Sequence, residues 1–151
     1  MRCTLLFLFI LLTSRLLADN VTAEQAHALA TDFFKTNVQT RNTSASPQLQ
    51  LVWDGEDLST RSTRNLPAFY VFNNTDRKGF VIIAGDDVVM PVLGYSFTDN
   101  FVVDGMPANL KSWMNGLKEQ INEARETGLN TSDVVSEAWR GVSDMTTGDV
   151  V

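Results

Sequence analysis

Apolar residues recur along this chain at two periods, and each stretch predicts an element. Over residues 19–38 the spacing is helical, with Ala26, Leu29, Ala30, Phe33 and Phe34 on one face. Thr22 and Gln25, three residues apart, have the form of a capping box, and Asn37 suits the end of the helix. Residues 39–47 are polar and read as a loop. Leu49, Leu51 and Trp53 then alternate with Gln50 and Val52, the pattern of a half-buried strand closed by Asp54-Gly55. Residues 56–66 are polar again and read as a mobile connection.

The strongest β signal comes next. Ala68 to Asn73 and Gly79 to Ala84 are rich in β-branched and aromatic residues, and the polar run Asn74 to Lys78 joins them. That combination predicts an antiparallel hairpin. Gly85-Asp86-Asp87 breaks the chain, and Val92 to Phe97 supplies a further strand. Pro107 then opens a second helix, where its missing N–H costs nothing. Its apolar stripe is Leu110, Trp113, Met114, Leu117, Ile121 and Ala124, and Gly128 ends it. Further on, Val134, Val135, Ala138 and Trp139 fit a short helix, while the residues from Gly141 carry no pattern. The order helix, antiparallel meander, helix predicts an α+β domain. An antiparallel β-sheet packs against an N-terminal and a C-terminal amphipathic helix, both expected on one face of it.

The first 18 residues stand apart. Arg2 precedes an apolar run from Leu5 to Leu12 that is too short to span a bilayer, the form of a secretory signal peptide with cleavage after Ala18. The chain then divides into a signal at 1–18, a domain at 19–128 and a tail or processing linker at 129–151. The implied destination is secretion, the periplasm or the cell surface, with no membrane association after the signal is removed. Losing Arg2 and Arg15 with the signal takes the net charge from −6 to −8. An acidic chain without a basic patch repels nucleic acid, which excludes that class of partner. The signal also carries away Cys3, the single cysteine. An exported domain without disulfides fits a bacterial envelope or secreted protein.

Candidate chemistry is sparse. Nucleophilic catalysis needs an activated nucleophile beside a base. The single histidine, His27, lies inside the first helix away from its apolar stripe, and no Gly-x-Ser-x-Gly elbow occurs. Asp86-Asp87 follow a glycine, where a carboxylate caps turn amides more readily than it shares a proton. Asp54-Gly55-Glu56-Asp57 resembles a fragment of a calcium loop without its later ligands. No cluster has metal-ligand spacing, and no cofactor motif is present. Asn-x-Ser/Thr sequons stand at Asn20, Asn42, Asn73 and Asn130. The expectation is a non-enzyme that works by binding another protein.

The run from Phe69-Tyr70-Val71-Phe72 through Gly79-Phe80-Val81-Ile82-Ile83-Ala84-Gly85-Asp86-Asp87 continues as Pro91-Val92-Leu93-Gly94-Tyr95-Ser96. Phe101 and then Met106-Pro107-Ala108-Asn109-Leu110-Lys111-Ser112-Trp113 come after it. Over roughly residues 20–125 the chain resembles the propeptide of streptopain-type cysteine peptidases and the stand-alone Spi inhibitors that mimic it. The resemblance implies an α+β propeptide fold that docks on a papain-like peptidase and keeps it latent. In that family an Asn at the start of the helix after the sheet lies against the enzyme's active site, and Asn109 occupies that place here. Met106, Pro107 and Leu110 flank it as implied contacts, while Gly85-Asp86-Asp87 and Tyr95 are assigned to the fold. In the full-length enzymes a catalytic domain with Cys and His follows. A chain that stops at Val151 reads as a free inhibitor or a truncated zymogen. A folding assistant and a non-inhibitory surface or adhesion module remain as alternatives.

Overall fold

The computed structural model describes residues 20–37, 46–56, 66–129 and 131–147. The signal segment, Asn42, Asp57 and Asn130 lie outside them. The elements run α1 (Ala23–Asn37), β1 (Leu49–Trp53), β2 (Phe69–Asn74), β3 (Phe80–Ala84), β4 (Val92–Ser96), α2 (Ala108–Thr127) and α3 (Asp133–Thr147). The strands form one antiparallel sheet in the order β1-β2-β3-β4, each pairing with its sequence neighbour.

The expected α+β architecture is present, but the two long helices lie on opposite faces of the sheet, not on one. Neighbouring residues of a strand point to opposite faces. Tyr70, Phe72, Val81 and Ile83 pack with Ala26, Leu29, Ala30 and Phe34 of α1. Phe69, Val71 and Ile82 pack with Met114 and Ile121 of α2. The composition of the central strands is the cause: Phe69-Tyr70-Val71-Phe72 and Val81-Ile82-Ile83-Ala84 are apolar at every position and buried on both sides. Such strands need a cover on each face.

Strand β1 departs from its period-2 pattern in the same way. Its register against β2 shifts between Leu51 and Trp53. This bulge turns Trp53 to the α2 side, while Leu49 packs on the α1 side. Leu51 is left 41% exposed, so the alternating apolar residues do not form one buried face.

The ends of the helices obey local chemistry. Thr22 and Gln25 form the capping box reciprocally: Gln25 Oε1 accepts from the Thr22 amide at 2.8 Å and Thr22 Oγ1 from the Gln25 amide at 3.2 Å. Gly128 closes α2 in the left-handed conformation, φ 59°, its amide donating to the Ala124 carbonyl. Helix α3 runs beyond the short stretch predicted by Val134 to Trp139, through Gly141 to Thr147. It packs on α1, and Trp139 Nε1 donates to the Val89 carbonyl at 2.8 Å.

Candidate functional site

The site takes shape where the chain leaves β4 and crosses the α2 face of the sheet to reach α2. Residues 97–107 contain no helix or strand, yet side chains fasten them at several points. Asn73, on the α2 face of β2, holds Phe101 by both ends of its amide. Nδ2 donates to the Phe101 carbonyl at 2.9 Å, and Oδ1 accepts from the Phe101 amide at 2.8 Å. The Phe101 ring is buried, stacked on Trp53 at 5.8 Å and edge-on to Phe80 at 5.3 Å. Asn100 Oδ1 accepts from the Gly79 amide at 2.9 Å, and Lys78 pairs with Asp99 at 3.5 Å across exposed surface. The connection is thus tied to β2 and to the turn after it.

At its far end Gly105 takes φ 72°, a left-handed turn open to glycine, and the chain enters α2. Pro107 stands at the N-cap, one residue before the first helical position where the sequence places it, and no side chain caps the helix there. The first-turn amides therefore have no partner inside the helix. Asn109 lies in this turn, exposed, its side chain making no hydrogen bond to another described residue. The flanks implied by the resemblance divide in two. Pro107 is exposed beside Asn109, whereas Met106 and Leu110 are half-buried against the α2-side core. Trp113, assigned to the apolar stripe by its spacing, is 49% exposed. It stands one turn after Asn109, on the same side of the helix.

The body of α2 is fixed by polar groups that helical spacing does not single out. Lys118 Nζ donates to the Gly55 carbonyl at 2.8 Å, in the buried layer. Arg125 is buried, and its Nε meets Asp86 Oδ2 at 2.7 Å. Its terminal nitrogens donate to the carbonyls of Leu66, Pro67 and Gly85 and to Asn122 Oδ1. Asp86 Oδ1 accepts from the Val88 amide at 3.1 Å, the turn-capping role expected of it. Gly85 has no alternative residue, since a Cβ there would lie 2.2 Å from the Pro67 carbonyl oxygen. The Val21 amide donates to the Gly85 carbonyl, and the Tyr70 hydroxyl to the Val21 carbonyl at 2.9 Å. Burial raises the Tyr70 pKa above its ordinary value; Arg125 works against this, and Asp54 and Glu24 add to it.

The remaining candidates stay apart from this site. His27 is exposed on α1 and sets its ring edge-on to Phe72 at 5.6 Å, on the opposite face of the sheet from α2. Asp54 Oδ1 accepts from the Glu56 amide at 3.1 Å in a tight turn. Among the described residues no group of three or more His, Cys, Asp or Glu side chains has metal-binding geometry. The Asn73 sequon has its side-chain nitrogen committed to Phe101.

A four-stranded antiparallel sheet thus lies between helices, with the uncapped and exposed start of α2 tied to it through the segment that precedes it. Residues 18–121 match the family described as Spi protease inhibitor. The chain belongs to this family of inhibitor domains, which as a rule carry out no catalysis. It is also 30% identical over 132 residues to the thiol protease/hemagglutinin PrtT of Porphyromonas gingivalis, a match covering 87% of this chain. The chain spans about 14% of the length of that relative.

Proposed function

We propose that this domain is exported and holds a streptopain-type cysteine peptidase inactive by laying the start of α2 against its active site. The observation that carries the reading is the placement of Asn109. It is exposed in the first turn of a 20-residue helix whose other face is packed into the core. A carboxamide both donates and accepts, so Asn109 can pair with the groups around a catalytic imidazole without reacting with them. A rigid base limits the entropy lost on docking. Pro107 and Trp113 extend the contact on either side, and a half-exposed tryptophan is a frequent anchor of such interfaces. Met106 and Leu110 set the angle of the helix from beneath while reaching the surface with the rest of their area. The acidic charge of the chain speeds encounter with a basic enzyme more than it tightens the complex.

The test is Asn109→Ala, assayed as inhibition of streptopain and of PrtT. The substitution weakens inhibition on the order of tenfold or more, the scale of a lost buried polar contact, and leaves thermal unfolding unchanged. An inhibition constant equal to that of the wild type contradicts the role given to Asn109.

A further inference from the structure

We infer that Asn73 is a positioning residue for the inhibitory helix start, acting through Phe101. This inference rests on the inhibitory role proposed for Asn109.

Asn73 sits in β2, the strand flanked on both sides by β1 and β3. Its side chain rises from the α2 face and pairs with both main-chain groups of Phe101, at 2.9 and 2.8 Å. The amide therefore acts as a short extra strand would, satisfying one donor and one acceptor of a segment that has no strand partner there. Each main-chain polar group taken out of water needs such a partner. Alanine would leave both unpaired, and aspartate would keep the acceptor while turning an oxygen toward the carbonyl.

The position of this pin matters because it lies just before the helix start. Only Val102 to Met106 separate Phe101 from Pro107, and Val102 is 63% exposed. The other ties, Asn100 to Gly79 and Lys78 to Asp99, hold residues before Phe101. The Lys78–Asp99 pair, exposed on both sides, adds little. Among the described residues, Asn73 is thus the last hydrogen-bonded side-chain tie before the turn at Gly105 and the uncapped start of α2. Beyond the pin the helix start is held by the apolar packing of Met106 and Leu110, and the C-terminal half of α2 by Arg125, so loosening the pin removes a hydrogen-bonded restraint on the helix start without releasing the helix.

The experiment is a double-mutant cycle on the full chain, read as inhibition of streptopain and PrtT. Asn73→Ala weakens inhibition about tenfold, on the scale of one lost partly buried hydrogen-bonded contact. In the Asn109→Ala background the same substitution changes inhibition by less than about threefold, because residues that act as a unit do not add. A merely structural role gives equal factors in both backgrounds. Equal factors, or no effect of Asn73→Ala while Asn109→Ala weakens inhibition, overturn the inference and leave the role of Asn109 standing. No effect of Asn109→Ala removes that role and the inference with it. Amide hydrogen exchange on the unmutated chain gives a second check independent of the variant's folding. The Phe101 amide is protected while that of Val102 exchanges rapidly. Equally fast exchange at both positions also overturns the inference.

Discussion

Arg125 makes five hydrogen bonds from a position that borders the apolar stripe of α2 without belonging to it. Nothing in helical spacing distinguishes an arginine that reaches water from one that turns under the sheet. Asp86, its partner, is legible as a turn cap because it follows Gly85. Its second role is not, since that depends on a residue 39 positions away. Replacing Arg125 by Met leaves the Asp86 side chain buried and without its cation. The expected loss is about 3–5 kcal/mol, measured by urea unfolding; a loss below about 1 kcal/mol contradicts the hub. Tyr70 gives a prediction in pH. Its pKa is raised in the folded state, mainly by burial, so the fold favours the neutral phenol. The stability tied to that proton is intact below the unfolded tyrosine value of about 10 and is lost as pH rises through the higher folded value. Unfolding midpoints of the wild type therefore fall above pH of about 10, while Tyr70→Phe lacks this component. At neutral pH the substitution costs about 1 kcal/mol for the hydrogen bond to Val21.

The elements are legible to different depths. The capping box at Thr22 and Gln25, the αL glycine at Gly128 and the hairpin from Phe69 to Ala84 are local devices, and local sequence specifies them. Thr22→Ala opens the box and is expected to lower stability by about 1 kcal/mol, a shift that thermal unfolding resolves; an unchanged midpoint contradicts the cap's contribution. Strand β1 escapes its period-2 pattern for a physical reason. A bulge changes the face of every later residue, and the pairing partner that induces it lies some 20 positions onward in β2. Helix α3 outruns its sequence signal because Gly141 interrupts the pattern, whereas packing against α1 and the Trp139 bond to Val89 support it from outside. Trp113 has the spacing of a core residue, and its exposure reflects where the sheet ends beside α2, at the edge strand β4. Its indole reaches toward Gly94, 3.9 Å from where a Cβ would stand.

At the scale of the molecule, the unbroken apolar runs of β2 and β3 call for a cover on both faces of the sheet. Pairing alone makes them a hairpin, and a hairpin does not say which face each helix takes. The opposite placement is what presents the site. With α1 and α3 on one face, α2 has the other to itself, and its first turn leaves Asn109 exposed. The resemblance singles out Asn109, and the geometry shows it exposed on a fixed base, with Trp113 beside it and Met106 and Leu110 turned half inward. The link between Asn73 and Phe101 lies beyond sequence reading because it is a side chain to main chain contact across 28 residues. The most direct test of a domain that blocks a peptidase is a titration of active streptopain and PrtT with the purified, folded chain. The account predicts loss of activity that saturates at one domain per enzyme. Full activity of both enzymes at micromolar excess of the folded domain would contradict it.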